Sequence, residues 1–371
     1  MPVPLLDLKA QFESIREETM DAVLGVIESQ RFIMGEQVPQ LEEAIASLSA
    51  TGHGIACASG TDALLLPLKA LELKSDDEII TTPFSFFATA GTIANAGGKP
   101  VFVDIDPATF NIDPNAVEAA ITPKTRAIVP VHLFGQMAPM ERLMALAARH
   151  DLVVIEDAAQ AIGARRKIAG EWKAAGELGW VSAFSFFPSK NLGAWGDGGM
   201  MVTNDGSLAE RLRLLRTHGG AKQYHHEEIG TNSRLDTLQA AVLLAKLNHL
   251  QDWAEGRRRQ AAAYDAVLGG IRGVTPPPVD SANEHVYHQY TIRAERRDEL
   301  KQHLASCGVG CAVYYPKPLH RQPCFAELGY GEGCFPVAET ASREVLSLPV
   351  YPELTSDQRE TVVNAIRGFY T

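Results

Sequence analysis

Lys190 stands in surroundings that are unusual for a lysine. It follows the apolar segment AFSFF, which we predict to be a buried strand, and it precedes NLGAWGDGG, which holds four glycines within seven residues. A lysine in that position can be partly desolvated, which lowers the pKa of its amine and makes the amine a usable nucleophile. The alternative is an exposed lysine on a surface loop, the commoner place for this residue type.

Asp157 ends the apolar segment LVVIE, which has the composition of a strand buried on both faces. A carboxylate at the carboxyl end of a buried parallel strand faces the crevice where α/β proteins bind ligands. Aspartate is also a good N-cap of a helix, and sequence position alone leaves both interpretations open. Gln160 would lie near the same face if a helical turn begins there.

The segment SGTDA, residues 59–63, lies between a short apolar strand and a long apolar helix. Gly60 allows a close backbone approach, and Thr61 or Asp62 can cap the helix. A helix N-terminus with free N–H groups is a good phosphate site, although most such turns bind nothing. The sequence has no GxxxxGK[ST], GxGxxG or GxSxG motif, so a nucleotide triphosphatase, a dinucleotide enzyme and an α/β serine hydrolase are unsupported.

A phosphate-binding helix start, a strand-end carboxylate and a later lysine are together what pyridoxal phosphate needs. The lysine forms a Schiff base, and the carboxylate keeps the pyridine nitrogen protonated so that the ring can withdraw electrons. An aromatic side chain can stack on the ring, and the candidates are Phe84, Phe86 and Phe87.

Composition excludes several other functions. The 371-residue chain has a formal net charge of −11 and no basic cluster, which makes it a poor nucleic-acid ligand. It has no secretory signal and no run of about 18 apolar residues, so we expect neither secretion nor a membrane span. Five cysteines at irregular spacing fit free thiols in a reducing cytoplasm, and no zinc-like spacing predicts a metal site.

The order of strands and helices predicts an α/β fold. Strand-like segments are continuous apolar runs that alternate with helical segments, which is typical of a parallel sheet covered by helices. Helices are expected over residues 12–30 and 38–48. The pattern changes after about residue 250, so we predict a large domain over 1–250 and a small α+β domain over 251–371. Within the small domain, helices are expected at 297–306 and about 355–369.

Six segments resemble the signature blocks of the DegT/DnrJ/EryC1/StrS family of sugar aminotransferases. They are ASGTDAL, PFSFFAT, VFVDIDP, VIEDAAQ, FFPSKNLGAWGDGG and GTNSRLDTLQAAVL. The resemblance extends from about residue 5 to about residue 365. It implies the pyridoxal-phosphate-dependent transferase fold of aspartate aminotransferase (fold type I), a large domain with a mostly parallel sheet and a small α+β C-terminal domain. Some relatives have histidine in place of the lysine and act as dehydratases; this chain keeps Lys190, which favours transamination.

The same resemblance implies roles for individual residues. Lys190 would bind the cofactor and move the proton, Asp157 would pair with the pyridine nitrogen, and Gln160 would donate to the ring oxygen O3′. Phe86 would stack on the ring. The remaining cofactor contacts would be phosphate ligands, namely Gly60, Thr61, Ser185 and, from the neighbouring subunit of a homodimer, Asn232.

Substrate recognition is implied by YYPKPLHRQP, which resembles the family's loop near the nucleotide diphosphate. The candidate contacts are Arg234, Tyr314, Lys317 and His320, with ordinary surface as the alternative for the last two. The form of this loop is more like relatives that aminate a 3-keto sugar than those that act at carbon 4. We therefore expect a cytoplasmic, homodimeric enzyme that moves an amino group from L-glutamate to a keto sugar linked to UDP or dTDP.

Two alternatives remain open from sequence. A pyridoxal-dependent aminotransferase of another ketone, such as a cyclitol ketone, would not need the diphosphate contacts. A non-catalytic sugar-nucleotide sensor would not need the Lys190, Asp157 and Gln160 set.

Overall fold

The computed structural model describes residues 2–222 and 224–371. The helices are α1 (Leu8–Ser14), α2 (Arg16–Ser29), α3 (Gln37–Leu48), α4 (Gly60–Ala70), α5 (Ala88–Asn95), α6 (Pro114–Ala120), α7 (Met140–His150), α8 (Gly206–Leu215), α9 (Thr237–Leu247), α10 (Leu250–Leu268), α11 (Arg297–Ser306), α12 (Pro336–Glu344) and α13 (Ser356–Tyr370). The strands are β1 (His53–Cys57), β2 (Glu78–Thr81), β3 (Lys99–Phe102), β4 (Thr125–Val129), β5 (Val153–Asp157), β6 (Arg165–Ile168), β7 (Glu171–Ala174), β8 (Val181–Ser185), β9 (Gly199–Thr203), β10 (Gly220–Lys222), β11 (His225–His226), β12 (Val274–Thr275), β13 (Asn283–Glu284), β14 (Tyr290–Ala294) and β15 (Val345–Leu348).

A seven-stranded sheet forms the centre of the larger part of the molecule, in the order β1-β9-β8-β5-β4-β2-β3. The pairs from β3 to β8 are parallel, and only β9 runs against its neighbours. Helices cover the sheet, which is why β9 is buried at every position and β5 at all but its first. The predicted mostly parallel α/β architecture is confirmed.

The expected helix over residues 12–30 is two helices. The chain leaves helical geometry at Ile15, which lies between α1 and α2 with φ −129° and ψ 18°, and the Ile15 side chain is buried. The helix predicted over 38–48 is confirmed as α3.

A second core lies around the three-stranded antiparallel sheet β12-β14-β15, on which α10, α11 and α13 pack. Helix α11 has the predicted bounds, and α13 closes the chain near the predicted residues. Val3 belongs to this core and pairs with Val309, while Phe335 packs with Phe102 of the larger part. Residues from each end of the chain therefore pack on the other part of the molecule. For this reason the predicted domain boundary near residue 250 stays a prediction.

None of the helices in the described ranges combines the length and the apolar character that a membrane span requires.

Candidate functional site

A cavity of about 420 Å³ opens at the edge of the sheet where β1, β2, β4, β5 and β8 end. Parallel strands place their carboxyl ends along one edge, so residues far apart in sequence meet there. Residues 288–289 and 314–315, from the chain after residue 250, line the cavity as well. The predicted site residues that line this cavity are Gly60, Thr61, Phe86, Asp157, Gln160, Ser185, Lys190 and Tyr314.

Lys190 is held in the cavity wall by the turn that follows β8. Its backbone N–H donates to the Phe187 carbonyl at 2.8 Å, which turns the chain after Pro188. Burial lowers the pKa of the Lys190 amine to about 8, and the nearby negative charge of Asp157 only partly opposes this. An amine with that pKa is far more often neutral near pH 7 than an exposed lysine, as a nucleophile must be.

Asp157 ends β5, and turns rather than a helix follow it, so the N-cap interpretation is wrong. Its carboxylate is buried and accepts hydrogen bonds from Thr89 Oγ1 at 2.7 Å and from the Ala159 N–H at 3.3 Å. Burial raises the pKa of Asp157, while the Thr89 hydrogen bond and the charge of Lys190 oppose that rise. The carboxylate is therefore suited to a cationic N–H donor in the cavity.

Gln160 has a fixed orientation. Its Oε1 accepts from the Phe134 N–H at 2.7 Å, and its Nε2 donates to the Tyr315 hydroxyl at 3.0 Å. Because a backbone N–H can only donate, Oε1 must be the acceptor, which leaves one Nε2 hydrogen for a ligand. Phe134 makes this contact with a φ of 58°, a left-handed conformation that is costly for a bulky residue.

The start of α4 forms the other end of the cavity. Ser59 is the N-cap, and its side chain accepts from the Asp62 N–H at 3.1 Å, so the cap is neither of the two residues proposed from sequence. The N–H groups of Gly60 and Thr61 have no partner within the helix. A Cβ on Gly60 would lie 2.5 Å from Ser185 Cβ, so only glycine lets α4 approach the end of β8 this closely.

Four predicted residues do not line the cavity. Asn232 is exposed beside Thr217, and Lys317 is exposed. His320 is buried, with Nε2 3.1 Å from a carboxylate oxygen of Glu339. The fourth is Arg234, whose Nε is buried without a hydrogen-bond partner among the described residues.

Sequence reasoning missed His288, which also lines the cavity. Asn191 Nδ2 donates to the Val286 carbonyl at 2.9 Å, so Asn191 Oδ1 is the acceptor for His288 Nδ1–H at 3.2 Å. Burial, with a smaller effect of the Lys190 and Arg257 charges, holds the pKa of His288 well below its usual value. His288 Nε2 is therefore a hydrogen-bond acceptor. In the sequence, the one hint of this contact is that its partner Asn191 directly follows Lys190.

The cavity residues fit pyridoxal phosphate. A low-pKa amine suits the aldehyde, the buried Asp157 carboxylate suits a protonated ring nitrogen, and the free Gln160 Nε2–H suits the ring oxygen. The open N–H groups at the start of α4 suit the phosphate.

Comparison with known proteins agrees with this geometry. The model of the DegT/DnrJ/EryC1/StrS aminotransferase family matches residues 13–367. A Geobacillus stearothermophilus protein named "Pleiotropic regulatory protein" is 55% identical over 100% of this chain and 99% of its own. A UDP-N-acetyl-3-dehydro-α-D-glucosamine 3-aminotransferase of Acidithiobacillus ferrooxidans is 46% identical over 98% of this chain and 97% of its own. The crystal structure of S. venezuelae DesV in complex with a ketimine intermediate has a TM-score of 0.96 and 44% identity, covering 100% of this chain and 98% of that one.

Fold and cavity together define a pyridoxal-phosphate-dependent aminotransferase of fold type I. The chain belongs to the DegT/DnrJ/EryC1/StrS aminotransferase family. The fold, the enzyme class and the cofactor expected from sequence are thereby confirmed.

Proposed function

We propose that the enzyme transfers an amino group from L-glutamate to the keto carbon of a sugar linked to UDP or dTDP, with carbon 3 favoured over carbon 4. The observation that carries this proposal is the convergence of the Lys190 amine, the Asp157 carboxylate and the Gln160 amide in one cavity beside the start of α4. The S. venezuelae and A. ferrooxidans relatives carry names of 3-amino or 3-keto nucleotide-sugar enzymes, which supports the sugar and the carbon.

The roles of the protein groups follow from their environments. When bound, pyridoxal phosphate accepts the amino group at its aldehyde carbon and withdraws electrons into its ring. Lys190 Nζ would hold the cofactor and, once released from it, would move the proton between the substrate carbon that bears the amino group and the aldehyde carbon of the cofactor, which its pKa of about 8 permits near neutral pH. Asp157 would hold the ring nitrogen, and the free Nε2–H of Gln160 would donate to the ring oxygen. Both substrates use this one site in turn, so kinetics are ping-pong.

The exposed apolar surface near the cavity supports a homodimer. Phe86 and Phe187 line the cavity mouth, and Trp195, which packs edge-on against Phe12, extends the apolar surface. In the dimer, Asn232 of the second copy reaches the phosphate, which accounts for its distance from the cavity of its own chain. Helix α2 and the segment after it also expose apolar side chains, namely Leu24, Ile27, Ile33 and Met34.

The nucleotide end of the substrate is assigned to Tyr314 in the cavity wall and to three residues outside the cavity. Arg234, Lys317 and His320 bind the diphosphate region, and Tyr314 bridges it to the cofactor. A guanidinium can hold a diphosphate through paired hydrogen bonds. The large domain, residues 1–250, carries the cofactor, and the small domain, residues 251–371, closes over the substrate. The enzyme works in the cytoplasm.

The proposed transamination is tested one half-reaction at a time. Purified enzyme loaded with pyridoxal phosphate is mixed with L-glutamate, and the absorbance of the lysine-bound cofactor should fall as 2-oxoglutarate appears. The resulting pyridoxamine form is then offered 3-keto and 4-keto sugars linked to UDP or dTDP, with the aminated product measured by mass spectrometry. A spectrum unchanged by every amino donor would contradict the proposal.

Three variants test the assignment of roles. Lys190→Ala should abolish both half-reactions, and Lys124→Ala, which removes an exposed lysine, should leave them intact. Arg234→Ala with Lys317→Ala should raise the KM for the nucleotide sugar. Unchanged KM together with turnover of a cyclitol ketone would favour the alternative aminotransferase.

A further inference from the structure

Behind the cavity, two buried hydroxyl groups connect the wall to Asp157. Ser85 Oγ lies 2.9 Å from Thr89 Oγ1, and Thr89 Oγ1 lies 2.7 Å from Asp157 Oδ2. Ser85 lines the cavity, whereas Thr89 lies in the first turn of α5 and does not. All three side chains are buried. The hydroxyl groups thus form a chain from the cavity wall to the carboxylate.

The direction of these hydrogen bonds is fixed by the number of hydrogens. An ionised carboxylate only accepts, so Thr89 must give its single hydroxyl hydrogen to Asp157. Thr89 Oγ1 then has only lone pairs for its neighbour, so Ser85 must donate to Thr89. With that hydrogen used, Ser85 presents only acceptor lone pairs to the cavity.

Few other groups stabilise the ionised carboxylate of Asp157. The Ala159 N–H reaches Oδ1 at 3.3 Å, a long contact. His132 is near, but its hydrogen is committed elsewhere: the Ala138 N–H donates to Nδ1 at 3.2 Å, so Nε2 carries the hydrogen and donates it to Glu156 at 2.8 Å. Lys190 contributes its charge without a hydrogen bond to the carboxylate. Thr89 is therefore the side-chain donor on which the buried carboxylate depends.

We propose that Thr89 is a positioning residue that holds Asp157 ionised and aimed at the ring nitrogen of the cofactor. This inference rests on the proposed function, because it takes the cofactor cavity as the working site. Burial alone would favour the protonated carboxyl, and the Thr89 hydrogen bond is the largest influence in the opposite direction. A protonated Asp157 would lose its charge interaction with the ring nitrogen.

The test measures binding rather than turnover. Pyridoxamine phosphate is titrated into the cofactor-free protein by calorimetry, so that no covalent bond to Lys190 contributes. Thr89→Val keeps the shape and removes the hydroxyl, and it should weaken binding about tenfold or more, since a hydrogen bond to a charged group is lost. Thr89→Ser keeps the donor and should bind within about threefold of the unchanged protein. Thr89→Ala gives the same comparison should Thr89→Val not fold.

A second ligand separates positioning from general damage. The analogue of pyridoxamine phosphate with carbon in place of the ring nitrogen cannot pair with Asp157. Thr89→Val should therefore weaken the binding of this analogue by less than about threefold, and it should have no further effect in Asp157→Ala protein. Binding of pyridoxamine phosphate should also be lost at a higher pH in Thr89→Val than in the unchanged protein as the solution is acidified.

Each remaining result has a clear meaning. Equal binding of pyridoxamine phosphate by Thr89→Val and the unchanged protein overturns the role of Thr89 while the proposed function stands. Equal weakening for both ligands shows a merely structural role and also overturns it. An unchanged protein that binds no pyridoxamine phosphate overturns both proposals.

Discussion

At the scale of single residues, burial makes Lys190 reactive at a pH where exposed lysines are not. Its pKa of about 8 means that roughly 300-fold more of the amine is neutral at pH 7 than for a lysine with the ordinary pKa. We expect covalent capture of pyridoxal, trapped by cyanoborohydride reduction and located by peptide mapping, to increase about 16-fold from pH 6.5 to pH 8 and to level off above about pH 9.

The control for Lys190 is N-acetyl-lysine amide treated in the same solutions. Its capture rate should still be rising steeply at pH 9, because its amine has the ordinary pKa near 10.4. A Lys190 profile that follows the free amino acid would show that burial does not lower the pKa of this side chain in solution.

At the scale of elements, the approach of α4 to β8 shapes the end of the cavity that we propose for the phosphate. Gly60→Ala places a methyl group 2.5 Å from Ser185 Cβ and must push the helix start away from the strand end. The N–H groups at the start of α4 move with it, so the affinity for pyridoxamine phosphate should fall about tenfold. Pyridoxamine, which has no phosphate, should lose much less, and calorimetry of both ligands measures the difference.

Gly368→Ala is the matched control within a helix. A Cβ at Gly368 in α13 meets nothing within 4 Å, so this change should leave both affinities unchanged and raise stability by about 0.5–1 kcal/mol. Equal loss of pyridoxamine and pyridoxamine phosphate in Gly60→Ala would show that the helix start does not act on the phosphate.

At the scale of the whole molecule, the exposed apolar face of α2 predicts how two copies meet. Leu24 is 47% exposed in α2, and Trp172, in β7, is 45% exposed. If α2 lies in the dimer interface, Leu24→Glu buries a charge there and should convert the dimer to a monomer, as measured by light scattering after gel filtration. Cofactor affinity should fall as well, because the proposed phosphate contact from Asn232 of the second copy would be lost.

The control is Trp172→Glu, which introduces the same charge at a similarly exposed position. It should leave the mass of the dimer, measured by light scattering, unchanged. A Leu24→Glu protein with the mass of the unchanged protein would place the interface elsewhere.

The parts of this molecule that sequence could predict are those that depend on neighbours in the chain. Lys190 and Asp157 were recognisable because each follows an apolar strand, and parallel strands bring their ends together. The break at Ile15 and the cap at Ser59 were missed because several residues nearby could have served equally well.

Contacts between distant segments were beyond sequence reasoning. Nothing near His288 in the chain shows that it lines the cavity beside Lys190, and the YYPKPLHRQP segment does not show that Tyr315 contacts Gln160. Thr89 lies within a recognised motif, yet only the folded structure places its hydroxyl against Asp157.

The pairing of Val3 with the segment at Gly308–Gly310 has a consequence for biosynthesis. The Val3 N–H donates to the Gly308 carbonyl at 2.9 Å, and the Gly310 N–H donates to the Val3 carbonyl at 2.7 Å. A ribosome adding about 5–20 residues per second makes these partners roughly 15 to 60 seconds after Val3. Throughout that interval an apolar segment has no place to be buried, which makes it a natural binding site for chaperones on the nascent chain. Refolding of the finished chain has no such delay, so the order in which the two cores form should differ between the cell and the test tube.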